Sequence, residues 1–295
     1  MTKQILFILL SISCLLSCDE TETPTFTKGA QIFAFTQLEE DSIHQGNRFT
    51  YPNSTLQFTG WGVYEDIIFE GTNIEWSLEK VNSTAVTEDK WLKCAITGGD
   101  PYNNVFFTNT CALRWEGEDW EFEAAQYLEY ELDFFIEGTI DCSNPDIATI
   151  EGIEFTWQHI LLPHSHGLGV QWSKGGAWRF WNDEQDDSGH VIGWQDFEPK
   201  ISSCLTANEW HHIKLTGYFQ DDILQYEHME LNGTVYDLSS AKLMAVNAQS
   251  GWVENFLQIG MQINGNTATD TNHGHGVDPV VVYLNNVSFK GYSWQ

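Results

Sequence analysis

Glu131, Asp133 and Glu137 lie at odd-numbered positions in the run Glu131-Leu132-Asp133-Phe134-Phe135-Ile136-Glu137. On a strand, odd positions share one face. Carboxylates on one face could supply the nucleophile and the general acid that glycoside cleavage needs. The same alternation also suits the solvated face of a half-buried strand. Trp172, Trp178, Trp181 and Trp194 crowd a stretch of 23 residues. Sugar rings stack on flat aromatic faces through their apolar C–H surfaces, and their hydroxyls need polar partners at the ring edge. Arg179, Lys174, Asn182 and Gln195 could serve that edge. Trp178 and Phe180 alternate with Arg179 and Trp181, so part of the cluster must face a core.

Metal chemistry is less well marked. His164 and His166 flank Ser165, and His273 and His275 flank Gly274, each pair beside Gly or Pro and so expected in loops. The run from Asn182 to Gly189 is rich in oxygen donors but lacks the EF-hand spacing, with Gly one place late and Trp194 where a bidentate Glu belongs. Asp221-Asp222 and Asp278 are further oxygen donors. A structural calcium between loops is the one cofactor these loops allow, and no metal-ligand set is assigned.

Strands are expected to position these residues. In Tyr127–Phe134, Leu128, Tyr130, Leu132 and Phe134 face one way and Glu129, Glu131 and Asp133 the other. Similar runs predict strands at Gln31–Phe35, Gly62–Phe69, Ile74–Val81, Trp91–Thr97, Ala112–Glu116, Ile153–His159, Gly167–Trp172, Trp178–Trp181, Trp210–Tyr218, Ile223–Leu231, Phe256–Ile263 and Val280–Phe289. Gly98-Gly99, Gly175-Gly176, Asn232-Gly233 and Asn264-Gly265 mark turns, and Asn232-Gly233 signals a hairpin. Ser239–Val246 is the best short helix candidate. Many short strands without a βαβ rhythm predict an all-β, two-sheet antiparallel jelly-roll sandwich over residues 30–295.

The chain opens with Lys3, an apolar run from Ile5 to Leu16, and Ser17-Cys18. That is the form of a secretory signal, and the run is too short to span a bilayer. Leu15-Leu16-Ser17-Cys18 resembles the bacterial lipobox. The resemblance implies cleavage after residue 17, acylation of Cys18, a polar tether over residues 18–29, and a place on the outer membrane or cell surface. The membrane is then a partner through the lipid anchor only. The formal charge is −29, or −30 once Lys3 is removed. A body so acidic repels phosphate backbones, so no nucleic-acid partner is expected. Cys94, Cys111, Cys142 and Cys204 remain in an oxidising compartment and predict two disulfides, with three connectivities open. Cys94–Cys111 and Cys142–Cys204 are the favoured pairs.

From about Cys111 onward the layout resembles the concanavalin A-like lectin and glucanase superfamily, most of all its polysaccharide lyases. The residues are Arg114-Trp115-Glu116, Tyr127–Ile136, Trp157-Gln158-His159, Trp178–Trp181, Trp210-His211-His212-Ile213, Gln258-Ile259-Gly260-Met261-Gln262 and the closing Val282-Tyr283-Leu284-Asn285-Asn286-Val287. The resemblance implies a groove that engages polysaccharide or oligosaccharide. Two departures bear on chemistry. Gln158 and His159 are adjacent, so a strand sends them to opposite faces, and Gln262 and Gln258 stand where those lyases have Tyr and Lys. The Glu131–Glu137 strand resembles the catalytic strand of laminarinase-type glycosidases with altered spacing. The expectation is glycan binding at Trp178, Arg179, Trp181, Gln158, Gln258 and Gln262. The alternatives are a rearranged lyase or glycosidase using Arg114, Glu131, Asp133, Glu137 or His159, and an envelope protein–protein interaction module.

Overall fold

A computed structural model of the chain describes residues 28–41, 43, 58–67, 74–82, 90–98, 104–113, 125–161, 164–185, 188, 191–220, 223–244, 246–247, 255–265 and 279–294. Its strands are β1 (Lys28–Phe35), β2 (Phe58–Ile67), β3 (Ile74–Asn82), β4 (Lys90–Gly98), β5 (Asn104–Leu113), β6 (Tyr127–Glu137), β7 (Gly152–Leu161), β8 (His164–Ser173), β9 (Ala177–Gln185), β10 (Val191–Ser202), β11 (Trp210–Gln220), β12 (Ile223–Leu231), β13 (Thr234–Asp237), β14 (Lys242–Met244), β15 (Val246–Asn247), β16 (Asn255–Asn264) and β17 (Val280–Trp294). Two antiparallel sheets result. The first runs β13-β12-β11-β6-β17-β4-β3, with β1 on β17 and β14 on β12. The second runs β10-β9-β8-β7-β16-β5-β2, with β15 on β8. The chain crosses between sheets from β1 to β2, β2 to β3, β4 to β5, β5 to β6, β6 to β7, β10 to β11, β14 to β15 and β16 to β17. This wrapping is the two-sheet jelly roll that the alternation predicts.

The core fills from both inner faces. Leu132, Phe134 and Ile136 of β6 meet Ile153, Phe155 and Trp157 of β7, and the Phe134 and Phe155 rings lie 4.8 Å apart. Two tyrosines carry polar tips into this layer and satisfy them on the opposite sheet, as buried hydroxyls must. Tyr130 donates to the Gly260 carbonyl at 3.2 Å, and Tyr226 accepts from the Gly169 N–H at 2.9 Å. The β12–β13 hairpin turns at Asn232 (φ 51°) and Gly233 (φ 79°), the left-handed pair a two-residue turn needs.

The structure corrects several expectations. Ser239–Val246 is not helical: it passes from β14 on the first sheet to β15 on the second. The Gln225 side-chain amide holds the Ser239 and Ala241 carbonyls at 2.9 and 2.8 Å, removing acceptors that a helix would use. His164 and His166 lie on β8 rather than in a loop. The strand expected at Ala112–Glu116 runs instead from Asn104 to Leu113, and residues 114–116 lie outside the described residues. So do the signal, Cys18, the tether to residue 27, Asp221-Asp222, Asp278, the second His pair, and residues 186–187 and 189 of the oxygen-rich loop. Cys142–Cys204 forms as expected. Cys94 is a free, fully buried thiol, so Cys94–Cys111 is not a disulfide. The two residues sit in different sheets: Cys94 pairs with Val282, and Cys111 with Leu257.

Two outcomes follow from this sulfur chemistry. The Cys142–Cys204 bridge closes a sequence separation of 62 residues. Replacing both cysteines with Ala should lower denaturant-measured stability by about 4 kcal/mol. Burial pushes the Cys94 thiol well above its ordinary pKa. A thiol reagent should therefore leave Cys94 unlabelled in the native protein and label it on unfolding. Labelling of Cys94 in the folded state would contradict its place in the core.

Candidate functional site

The outer face of the second sheet is unusually polar. Ile153, Phe155 and Trp157 turn into the core, so β7 presents Glu154, Thr156 and Gln158 outward. By the same alternation β16 presents Gln258, Gly260, Gln262 and Asn264, and β8 presents Gly169 and Gln171. Antiparallel register brings Gln258 opposite Gln158, and Gln262 opposite Glu154, which in turn faces Gln171. Glu154 is the hub. Its Oε1 accepts from the side-chain amides of Gln171 at 2.8 Å, Asn264 at 3.0 Å and Gln262 at 3.3 Å. Glu154, Gln258 and Gln262 are nearly buried on this face. A low-dielectric setting makes each of these charge-assisted bonds matter more. Gly260 lets the strands and the Phe106 ring close over it: a Cβ there would lie 2.6 Å from the Phe107 carbonyl oxygen.

Register extends the same row to the sheet edge. Gln171 faces Arg179 on β9, which faces Asp196 on β10. Arg179 Nε lies 3.3 Å from Asp196, and Lys200 holds the same carboxylate at 2.6 Å. The Lys200 hydrogen bond leads the effects that hold the Asp196 carboxyl below its ordinary range. Trp181 lies opposite Trp194, and their rings meet edge to face at 5.2 Å. Both are half-buried and stand on the same outward face as Arg179.

Gln158, Gln258, Gln262, Arg179 and Trp181 therefore share one face. Two other candidates on the same sheet do not. Trp178 belongs to the core at 1% exposure, and its indole N–H donates to the Ser203 carbonyl at 3.3 Å. Both ring faces are covered, so no sugar can stack there. His159 turns inward beside Trp157, with its ring 5.4 Å from Phe219. It cannot share a proton path with Gln158 across the sheet. Arg114 lies outside the described residues. Sequence patterns did not single out Glu154, Gln171 or Asp196, and read Asn264 only as part of a turn. Their signal was an acid or amide at outward positions of adjacent strands, and it is readable only once register is known.

Glu131, Asp133 and Glu137 do share a face, on the outer side of the first sheet and away from the amide row. Cross-strand partners hold each of them. Lys290 reaches Glu131 at 3.1 Å, and Tyr283 donates to Glu137 at 3.0 Å. Asp133 is bonded to His212 Nδ1 at 2.8 Å and to the Asn286 amide at 2.6 Å. Beside them Trp91, Phe135, Trp210 and Tyr283 pack ring to ring at 5.0–6.0 Å.

No family model and no curated protein matches the chain. Among solved structures, it is similar to an endo-β-1,4-glucuronan lyase from the fungus Trichoderma reesei, with 10% identity, 80% of this chain and 96% of that chain covered, and a TM-score of 0.43. It is also similar to the PL-14 alginate lyase from Aplysia kurodai, with 11% identity, 72% and 86% covered, and a TM-score of 0.37. The Bacillus licheniformis β-glucanase gives 8% identity, 88% and 98% covered, and a TM-score of 0.38. At such identities and scores no residue role is carried across.

The Asp133–His212 pair sets a pH window. The Asp133 hydrogen bond raises the His212 pKa above 6.5, outweighing burial. Burial pushes the Asp133 carboxyl up, but His212 and Asn286 outweigh it and hold it below 3.8. His212 thus contributes stability that is full below about pH 6.5 and lost as pH rises through its folded pKa. Asp133 contributes stability that is full above about pH 3.9 and lost as pH falls through its depressed folded pKa. Their joint contribution peaks between those limits. Asp133→Asn should flatten that maximum in urea melts taken from pH 4 to 8. It should also lower the His212 pKa followed by NMR. An unmoved His212 titration would mean the pair does not form in solution.

Proposed function

We propose that this chain is a lipid-anchored envelope protein that captures polysaccharide on the outer face of its second sheet. The observation that carries the reading is the row Gln262–Glu154–Gln171–Arg179–Asp196, which runs into the Trp181–Trp194 pair. It places polar side chains across neighbouring strands and half-buried indoles at one end. A glycan needs that combination: apolar C–H faces against rings, hydroxyls against amides. Glu154, Gln258 and Gln262 are nearly buried, so a glycan first meets the exposed Arg179 and the half-buried indoles, and the affinity is expected to be modest.

Binding is favoured over cleavage by the chemistry of the row. The groups contacting Glu154 through the bonds described above are amides, which neither take nor give a proton near neutral pH. His159 faces the core, and the three carboxylates on the first sheet are engaged with Lys290, His212, Asn286 and Tyr283. The lipid anchor rests on the sequence pattern at Leu15–Cys18.

Tryptophan fluorescence tests the site. Soluble polysaccharide should quench it, and Trp181→Ala should remove the quench with the fold intact. Trp178→Ala should instead destabilise by about 3–5 kcal/mol, because it empties a core position. A quench that survives Trp181→Ala would move the binding site elsewhere. For the anchor, Cys18→Ala should release the protein from membranes or block its maturation. A variant that still fractionates with lipid would remove the lipoprotein reading.

A further inference from the structure

We propose that this face takes a hydroxyl-rich glycan without negative charge, and that it excludes uronate and sulfated chains. The inference rests on the polysaccharide reading above and names its ligand class. It starts from the hydrogen-bond capacity left on the row. The side-chain N–H groups of Gln171, Gln262 and Asn264 converge on one oxygen of Glu154. Acceptors remain. Among the described residues, the side-chain oxygens of Gln258, Asn264 and Asn104 are buried without a hydrogen-bond partner, and so is Thr156 Oγ1. Gln258, Asn264 and Asn104 are each more than nine-tenths buried.

These residues lie on the same outward side. Asn264 pairs with Asn104 across β16 and β5, Thr156 pairs with Gly260 across β7 and β16, and Gln258 lies two residues from Gly260 on β16. A buried acceptor without a donor is unfavourable, so a ligand that reaches these oxygens is matched when it donates. Sugar hydroxyls donate. A carboxylate or sulfate group only accepts, so one placed against the amide oxygens of Gln258, Asn264 or Asn104 would leave them unpaired, where a hydroxyl would not.

Charge points the same way. Glu154 places a carboxylate in the middle of the row, nearly out of solvent. Arg179, which could have received an acidic sugar, is paired with Asp196. The chain as a whole carries −29, which disfavours approach of any polyanion.

The test is a calorimetric panel on the purified chain. It holds soluble glucans, mannans, xylans and galactans beside alginate and a sulfated galactan of matched length. Each is run at low salt and at about 150 mM salt. The expected result is a neutral binder whose affinity changes little with salt, with both anionic chains at least tenfold weaker at low salt. Gln258→Met keeps the volume and removes an unpaired oxygen. It should lower the neutral affinity about five- to tenfold without lowering the melting temperature. An anionic chain that binds as tightly as the best neutral one overturns the inference and leaves the polysaccharide reading standing. Unchanged affinity in Gln258→Met also overturns it, because the unpaired oxygen would then serve water. Binding of no glycan at all removes both readings.

Discussion

Burial of one face of each sheet against the other is the constraint on which the rest depends. Strand alternation then dictates every outward position. Once Ile153, Phe155 and Trp157 are fixed in the core, Glu154, Thr156 and Gln158 have no choice of face. The same holds for Gln258 and Gln262 between Leu257, Ile259, Met261 and Ile263. Register adds the second coordinate. A slip of one residue in β16 would carry its glutamines into the core and its apolar residues out, so burial locks the row as firmly as it locks the core.

The interior adds points that pin the two sheets to each other. Tyr130 and Tyr226 each reach across the core to a backbone group of the opposite sheet. Trp172 and Trp178 both donate to the Ser203 carbonyl, just beyond β10 and beside the Cys142–Cys204 bridge. The edge of the second sheet that carries Arg179, Trp181 and Trp194 is thereby tied to the core. On the first sheet, Glu39 reaches into the bulge of β17 and accepts from the Val287 N–H at 2.8 Å. That bulge separates the register of Asn285 from that of Ser288, and it contains Asn286, whose amide donates to Asp133.

The alternation in β6, β7, β16 and β17 was legible because each has one apolar face. β5 was misplaced because both of its faces are buried: Asn104, Phe106, Thr108 and Thr110 are covered as well as Val105 and Phe107. Burial on both faces erases the period-two signal. β10 was missed because Pro199 interrupts it, which an edge strand with a register shift between Asp196 and Ile201 can tolerate. The tryptophan cluster was visible as a cluster, and alternation correctly divided it. Alternation gave the sides but not which side was core, so Trp178 stood beside Trp181 until packing separated them. Glu154 was hidden for another reason. Its role arises from three partners on β8 and β16, and partners across strands are a property of register rather than of spacing along the chain.

The hub explains how a polar row can stay ordered on a sheet face. Glutamine and asparagine side chains lose rotamer freedom when a ligand fixes them, and that loss weakens binding. Here Gln171, Gln262 and Asn264 are already oriented by one carboxylate. The nearly buried Glu154 bears a desolvation penalty, which its three amide donors offset. Its return is a set of side chains whose directions are fixed before any ligand arrives. Gln258 is held differently: close packing restrains it, yet its side-chain oxygen has no donor among the described residues. Conformational order is thus supplied from inside the row while hydrogen-bonding capacity stays open at one of its members. That is the division a binding surface needs if an incoming hydroxyl is to meet a fixed acceptor rather than assemble one.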